Sequence, residues 1–392
     1  MKVIQINTVY GTGSTGRIAK DLQRYLREHG HDCLVCYGRG DREKREDSYR
    51  ISGRMAVYLH ALLSRITDKQ GLYSTCATRT LTKKIKEYAP DVIHLHNIHG
   101  YYLNYKQLFH FLAEYAVPVV WTLHDCWPFT GHCAHFEYAG CEKWQTLCCQ
   151  CPQKTEYPAS YVIDNSEGNY KAKKEIFQSI NNMTIVTPSE WLAAMTKKSF
   201  LKKHPVRVIR NGVDREIFKP RPSDIKARFG ISNKKIVLGV ANVWNKKKGL
   251  FDFFELAELL APVYKIVLIG LAKEQLATLP KEILGIPRTK DAMELAEWYT
   301  CAEVFVNPTY EDTYPTTNLE AEACGTPVIT YQTGGSTESV RPEFVVEKGN
   351  IPELKKRIEN IDPSTHAVSN ITLDKNESFE QYLSLYSELT HE

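Results

Sequence analysis

The sequence contains no run of 18 apolar residues, so it predicts no transmembrane helix. Residues 1–7 form a strand-like segment without the apolar core and cleavage site of a signal peptide, which predicts a chain that stays in the cytoplasm. The net charge of +4 is small for 392 residues and indicates no nucleic-acid partner. Internal repeats and low-complexity segments are also lacking, and the length of 392 residues predicts an ordinary globular protein of two domains.

Strand-like and helix-like segments alternate through both halves of the chain, which predicts parallel sheets covered by helices on both faces. The Pro-containing residues 219–223 are interpreted as a linker. We therefore predict a first domain over residues 1–218, with a Cys-rich insertion near 126–151, and a second over residues 219–376. We expect the helix over residues 377–392 to pack back on the first domain. A ligand should bind at the carboxyl ends of the strands, in a cleft between two such domains.

The most informative motif covers residues 311–335, where an acidic loop leads into a short helix and then a strand. Thr317 and Glu320 have the spacing of a capping box, and Gly325 stands where a left-handed residue ends a helix. A helix N-terminus offers N–H groups and a positive partial charge to anions. Because Asp312 and Glu320 flank that terminus, the motif predicts a ligand that carries both phosphate and hydroxyl groups.

A glycine-rich loop, Gly11-Thr12-Gly13-Ser14-Thr15-Gly16, follows the first strand and has the spacing of a dinucleotide-binding turn. We discount that function because the strand is expected to end near Ile6, which leaves too long a turn, and because no acidic residue follows the second strand. The loop is interpreted instead as offering N–H groups to a phosphate or a sugar. A plain turn that feeds a helix is the alternative.

Several motifs together resemble the retaining glycosyltransferases of GT-B fold, and specifically their family 4. The resemblance rests on the Asp312-x7-Glu320 spacing, the Gly-Thr-Pro-Val-Ile strand with the Gly-Gly after it, Asn211-Gly212-Val213-Asp214, Lys247-Lys248-Gly249 and His124-Asp125-Cys126-Trp127. It covers essentially the whole chain. The His124 segment and His94-Leu95-His96-Asn97 most resemble enzymes of exopolysaccharide, capsule and colanic-acid assembly.

The resemblance implies an α/β, GT-B fold of two Rossmann-like, doubly wound domains that face a central cleft. It implies retaining transfer of a sugar from a nucleotide-diphosphate sugar to a glycan acceptor, which we expect to be lipid-linked. The catalytic residues it implies are His124, Asp312 and Glu320. The donor-binding residues would be Gly13, Lys247, Lys248, Glu311, Thr316, Thr317, Asn318 and Leu319, and the acceptor-side residues Ser14, Thr15, His96 and Asn97.

The chain departs from the family in two places. The first acidic position is usually Glu, so either Glu311 or Asp312 could fill it. Ala241-Asn242 replaces a Gly-Arg pair, so Lys247 or Lys248 must meet the phosphate charge. No Asp-x-Asp occurs, and we expect catalysis without a metal or other cofactor. A nucleotide-sugar epimerase of the same architecture and a non-catalytic nucleotide-sugar-binding assembly subunit remain as alternatives.

Six cysteines fall within residues 126–151. Cys133, Cys141, Cys148 and Cys151 could bind a structural zinc ion, although only the last pair has typical zinc spacing. Reduced structural thiols are the alternative, because a cytoplasmic chain is not expected to hold disulfides.

Two basic runs, Lys83-Lys84-x-Lys86 and Lys197-Lys198 with Lys202-Lys203, lie beside apolar residues. Such runs are usually solvated helix faces. Their alternative function is peripheral contact with anionic lipid at the inner face of the plasma membrane, which would suit a lipid-linked acceptor. Simpler explanations also exist for the site residues: Glu320 could only cap its helix, and His94 and His96 could be structural.

Overall fold

A computed structural model describes residues 1–40, 47–361 and 373–391, with the side chain of residue 391 excepted. The chain divides into two compact units. Unit 1 consists of Met1–Arg210 with Phe379–Glu392, and unit 2 consists of Asn211–Ser378. Within the described residues, no helix has the length and apolar character needed to cross a bilayer.

Unit 1 is built on a parallel sheet in the order β3-β2-β1-β4-β5-β6-β7. Its strands are β1 Lys2–Val9, β2 Asp32–Arg39, β3 Ser48–Arg50, β4 Val92–Leu95, β5 Val119–Thr122, β6 Met183–Thr187 and β7 Val206–Val208. Its helices are α1 Gly13–Glu28, α2 Arg54–Thr67, α3 Thr75–Tyr88, α4 Tyr105–Tyr115, α5 Ser166–Phe177 and α6 Glu190–Lys198.

Unit 2 is built on a second parallel sheet, in the order β10-β9-β8-β11-β12-β13. Its strands are β8 Lys235–Val240, β9 Tyr264–Ile269, β10 Ile283–Ile286, β11 Val304–Asn307, β12 Val328–Tyr331 and β13 Val345–Val346. Its helices are α7 Ile225–Arg228, α8 Leu250–Leu259, α9 Lys273–Leu276, α10 Ala292–Cys301, α11 Thr316–Ala323 and α12 Ile351–Glu359. The last helix, α13 Lys375–His391, begins in unit 2 and continues into unit 1.

Each sheet is apolar on both faces because helices cover both. In β1, Val3 packs with α1 and α13, whereas the next residue, Ile4, packs in the cluster that contains α3 and α4. Unit 2 repeats this alternation: Ile236 lies in the core under α10 and α11, and Val237 in the core under α8 and α12. Continuous apolar strands are typical of parallel sheets buried on both faces.

The order of each sheet contains one point at which the chain reverses its direction of growth. In unit 1 this point lies between β1 and β4, and in unit 2 between β8 and β11. Loops that leave the carboxyl ends of such neighbouring strands run to opposite faces of the sheet and leave a crevice, where ligands of open α/β sheets bind. The crevice in each unit is therefore the first place to look for a site.

Candidate active site

The crevice of unit 2 holds two lysine–carboxylate ion pairs. Lys247 and Lys248 come from the loop after β8, and Glu311 and Asp312 from the loop after β11. The Lys247 Nζ lies 3.0 Å from Glu311 Oε1, and the Lys248 Nζ lies 2.7 Å from Asp312 Oδ2. The Lys247–Glu311 pair is the more buried, with side chains 16% and 7% exposed, against 33% and 20% for the other. The structure thus brings together four of the predicted residues.

Local sequence fixes the lysine loop in place. The Asn245 side chain accepts a hydrogen bond from the Lys248 N–H at 3.1 Å, which caps a single 3-10 turn over Lys246–Lys248. Gly249 ends this turn with φ +71°, and a Cβ there would lie 2.4 Å from the Pro308 carbonyl oxygen. Only glycine satisfies both conditions. The Tyr310 N–H donates to the Lys247 carbonyl at 2.8 Å, so the two loops are bonded through their backbones as well.

Helix α11 follows the acidic loop, but it does not have the capping box that Thr317 and Glu320 predicted. The helix begins at Thr316 and its N-cap is Pro315, which has no side-chain acceptor; Thr317 lies inside the first turn. Glu320 instead accepts a hydrogen bond from the Tyr299 hydroxyl at 3.2 Å, and the residue is 6% exposed. The prediction was wrong because the helix begins before Thr317, whose hydroxyl is therefore not at the N-cap position. The predicted left-handed residue after the helix is present, since Gly325 has φ +81°.

The remaining α11 residues that were predicted to bind the donor differ in how deeply they are buried. The Asn318 side chain is fully buried, accepting from Asn307 Nδ2 at 2.8 Å and donating to Ser339 Oγ at 2.8 Å. Leu319 belongs to the apolar core. Thr316 and Thr317 are half-buried in the first turn. The side chains of Asn318 and Leu319 therefore hold the helix in place, and their backbone is the part that could meet a ligand.

The crevice of unit 1 lies beside the glycine-rich loop. β1 continues to Val9 and α1 begins at Gly13, so the turn is tight, and the expectation that the strand ends near Ile6 was wrong. The polar residues after Ile6 remain in the strand because they pair with β2, as in Asn7 with Tyr37. Ser14 and Thr15 lie half-buried in the first turn of α1. The loop after β4 contacts β1, where the Asn97 N–H donates to Asn7 Oδ1 at 3.3 Å, and Asn7 Nδ2 in turn donates to the Thr15 carbonyl of α1 at 3.1 Å.

A chain of buried hydrogen bonds orients His124. Gln5 Nε2 donates to the Ala19 carbonyl at 3.1 Å and to Cys33 Sγ at 3.3 Å, so its Oε1 accepts from His96 Nε2 at 2.9 Å. The unprotonated His96 Nδ1 then accepts from His124 Nε2 at 3.1 Å. We assign the tautomers from these partners. His124 Nδ1 is thereby left as the hydrogen-bond acceptor of that ring.

These histidines are neutral because burial penalises the charged form. Burial lowers the pKa of His124 to about 4 and that of His94 to about 3, and it lowers the pKa of His96 well below its usual range. His94 has a structural position, with Nε2 2.8 Å from Thr122 Oγ1 and Nδ1 2.6 Å from the Tyr386 hydroxyl of α13. The His96 ring is also buried, so it reaches a ligand only through His124.

One contact near this crevice, the pairing of His99 with Asp125, was not predicted from the sequence. His99 Nε2 lies 2.7 Å from Asp125 Oδ2, and His99 Nδ1 lies 3.1 Å from the Tyr157 hydroxyl. Burial alone would raise the pKa of Asp125, but the charge of His99 and its hydrogen bond lower it to about 2. The carboxylate therefore orients the imidazole toward Tyr157. The signal was present, because His99 and Asp125 each follow neighbouring strands of the predicted sheet.

The Cys-rich segment packs as a small aromatic and thiol cluster. Cys133, Cys141, Cys148 and Cys151 line one pocket together with Trp144. A hydrogen bond between the Cys133 and Cys151 side chains raises the pKa of Cys133 and lowers that of Cys151 to about 7. All 11 cysteines are unbridged. In the part of the chain that the structure describes, no three His, Cys, Asp or Glu side chains are placed to hold a metal ion, and the structural zinc stays a prediction.

Comparison with known proteins relates both halves of the chain to sugar transferases. Residues 15–217 match Glycosyltransferase Family 4, and residues 222–362 match Glycosyl transferases group 1. The chain is 29% identical over 230 residues to "Putative colanic acid biosynthesis glycosyl transferase WcaC" of Escherichia coli (strain K12), which covers 55% of each protein.

A second relative is the alpha-galactosylglucosyldiacylglycerol synthase of Streptococcus pneumoniae, 24% identical over 222 residues, with 48% of this chain and 59% of that protein covered. The chain therefore spans between half and two thirds of the length of these relatives. Among solved structures, Anabaena Alr3699/HepE in complex with UDP and glucose superposes with a TM-score of 0.65 at 15% identity, covering 99% of each chain. That likeness shows the fold.

Proposed function

The chain belongs to glycosyltransferase family 4, and from this premise we propose that it moves a sugar from a nucleoside-diphosphate sugar to a glycan acceptor. Its fold is GT-B. The observation that carries the proposal is the pairing of Lys247 and Lys248 with Glu311 and Asp312 beside the N-terminus of α11. Cations, carboxylates and helix N–H groups at one crevice match a ligand with a charged pyrophosphate and a sugar rich in hydroxyls.

The two ammonium groups serve the departing diphosphate in this proposal. Negative charge grows on the leaving pyrophosphate during transfer, and preorganised cations and N–H dipoles stabilise it most at the transition state. Glu311 and Asp312 hold Lys247 and Lys248 in position before the donor arrives. Because these residues come from two bonded loops, little reorganisation is needed when the donor binds.

Carboxylates and a neutral histidine recognise the hydroxyl groups. Glu320, fixed by the Tyr299 hydroxyl, would accept hydrogen bonds from the ribose, and Asp312 or Glu311 from the donor sugar. His124 would contact the transferred sugar through Nδ1, and its low pKa keeps that nitrogen an acceptor at neutral pH. A neutral imidazole also adds no positive charge next to an oxocarbenium-like sugar.

We further propose retention of configuration, catalysis without a metal, and a lipid-linked acceptor. Retention follows from the family resemblance, and the lack of an Asp-x-Asp pair in the sequence supports independence from metal. UDP and glucose in the Alr3699/HepE complex support the donor class. The relatives named for colanic acid and for a diacylglycerol glycolipid support an acceptor used in surface polysaccharide or glycolipid synthesis, at the membrane periphery.

The proposal is tested by donor binding and by turnover. Among nucleoside-diphosphate sugars, the correct donor should raise the melting temperature, since binding stabilises the fold by RT ln(1 + [L]/Kd). Lys248→Ala should weaken this effect and slow transfer by about tenfold or more. Lys235→Ala is the matched control, because Lys235 pairs with Glu303 at 2.8 Å at the opposite end of the strands. Equal effects of the two variants, or conversion of the donor sugar to its epimer without an acceptor, would contradict the proposal.

A further inference from the structure

Helix α2 exposes a continuous apolar stripe. Met55, Tyr58, Leu59, Leu62 and Ile66 are between 41% and 78% exposed. Their spacing of three or four residues places them on one side of the helix. An amphipathic helix normally turns such a stripe toward the core, whereas here His60 and Ser64 are the buried residues.

A second segment, residues 157–163, extends this stripe. The Tyr161 N–H donates to the Arg65 carbonyl at 2.7 Å, and the Ile163 N–H donates to the Ile66 carbonyl at 3.0 Å, so this segment lies against the end of α2. Its side chains at Tyr157, Tyr161, Val162 and Ile163 are also exposed. We call the five residues of α2 and these four the docking face.

The docking face is a concentration of apolar surface and not a scatter of single residues. It holds nine of the sixteen large apolar side chains that are exposed within the described residues. Soluble proteins rarely expose a contiguous apolar patch unless something binds it.

The charged residues of α2 are all positive, whereas exposed acids lie beside the second segment. Between Arg54 and Thr67 the chain has no acidic residue, while Arg54, Arg65 and the following Lys69 are exposed. Arg39 lies near the same place as Arg65. Burial raises the pKa of Tyr101, and the positive charges of Arg65 and Arg39 both lower it. The exposed acids next to the segment are Glu156, Asp164 and Glu167, and the Asp164 carboxylate accepts from the Cys151 N–H at 2.7 Å.

We propose that the docking face rests on the surface of a bilayer that contains anionic lipid. The proposal deepens the proposed function, on which it rests for the lipid-linked nature of the acceptor. A helix with an apolar face and flanking arginines suits the boundary between headgroups and acyl chains, and the tyrosines of the docking face suit the same depth. A second copy of this chain is the competing occupant, and the vesicle and dimer measurements below separate the two.

The docking face also borders the crevice of unit 1. Tyr157 belongs to the face, and its hydroxyl contacts His99, which is held by Asp125 after β5. A lipid-linked acceptor would therefore leave the membrane next to the side chains expected to receive it. This surface differs from the basic runs around Lys83 and Lys197, since none of the large exposed apolar side chains among the described residues lies in or directly next to these runs in the sequence.

Co-sedimentation of the full chain with vesicles tests the proposal. Binding is expected to vesicles of phosphatidylcholine with phosphatidylglycerol, and to be weaker with phosphatidylcholine alone. Leu59→Gln with Leu62→Gln should lower the partition coefficient about tenfold or more on both vesicle types, since both lose apolar surface that would enter the interface. Arg54→Gln with Arg65→Gln should lower it about tenfold on the anionic vesicles only.

Two control variants accompany these. Phe251→Gln with Met293→Gln removes two exposed apolar side chains of unit 2, 56% and 47% exposed, and should leave vesicle binding unchanged. Lys83→Gln with Lys86→Gln tests the basic run whose alternative function was lipid contact, and it should have little effect. Circular dichroism of each variant establishes that it folds.

Three results would overturn the proposal. The first is that the Leu59→Gln, Leu62→Gln variant binds vesicles as strongly as the wild type. The second is that the Lys83→Gln, Lys86→Gln variant loses as much vesicle binding as the leucine variant. The third is that the wild type does not bind vesicles but forms a dimer, which the leucine changes dissociate. Vesicle binding needs neither donor nor turnover, so it can fail while the enzyme still transfers to a detergent-solubilised acceptor. Conversely, a chain that binds vesicles but consumes no donor would refute the proposed function alone.

Discussion

Lowering the pH from 7 to 5 should strongly destabilise unit 1, because its fold holds five histidines in the neutral state. Burial lowers the pKa of His60, His124 and His204 to about 4, that of His94 to about 3, and that of His96 well below its usual range. In the unfolded chain each would titrate near 6.5. Their contribution to stability is therefore complete above pH 6.5 and is lost as the pH falls toward the folded pKa values.

The size of the effect follows from the protons that unfolding takes up. Each group that is protonated only in the unfolded chain lowers the free energy of unfolding by about 1.4 kcal/mol per pH unit. Five such groups give about 5 kcal/mol between pH 6 and pH 5, against a total of about 5–15 kcal/mol for a domain. His132 has the opposite sign: burial would lower its pKa, but Asp68 raises it, so its contribution is lost only as the pH rises.

Urea unfolding at a series of pH values, followed by near-ultraviolet circular dichroism, measures this dependence. The free energy of unfolding should fall steeply below pH 6, and His204→Gln should reduce the slope by about 1.4 kcal/mol per pH unit if the variant folds. Calorimetry in buffers of different ionisation enthalpy counts the protons independently. A free energy that stays constant from pH 6.5 to pH 4.5, or an uptake of fewer than about two protons at pH 5, would refute the reasoning.

Three further predictions concern single side chains. Gly249→Ala should lower the free energy of unfolding of unit 2 by at least about 2 kcal/mol in urea titrations, because φ is positive and a Cβ would meet the Pro308 carbonyl; a change below about 0.5 kcal/mol would contradict the geometry. Glu320→Gln keeps an acceptor for the Tyr299 hydroxyl, so stability should hold while turnover falls by about tenfold or more in a steady-state assay; unchanged turnover would remove Glu320 from the site. Tyr157→Phe removes the hydroxyl that contacts His99, so the ratio of sugar transfer to donor hydrolysis should drop, and an unchanged ratio would separate His99 from the acceptor.

Much of the fold could be predicted because its signal is local. Apolar strands alternating with amphipathic segments define a parallel sheet, as both sheets of the structure show. Elements without that pattern were not predicted. Helix α2 was not predicted either, although its apolar residues have helical spacing, and α5 lies after the irregular Cys-rich segment.

Errors at element ends have a common physical cause. At α11, Thr317 and Pro315 compete to start the helix, and the local motif does not decide between them. At β1, the polar Asn7 and Thr8 do not look like strand residues, but backbone pairing with β2 keeps them extended. In both cases the energy of the neighbouring structure outweighs the preference of the residue itself.

The sequence by itself determined the family, the two-unit α/β organisation and the residue types of the donor site, because these depend on short motifs and on apolar periodicity. Only the tertiary structure decided which side chains meet. His99 and Asp125 are 26 residues apart and come together because β4 and β5 are neighbours. The tautomer of His124 depends on Gln5, more than a hundred residues away, through His96. Hydrogen bonds and pKa values are properties of burial and of partners, and these exist only once the chain has folded.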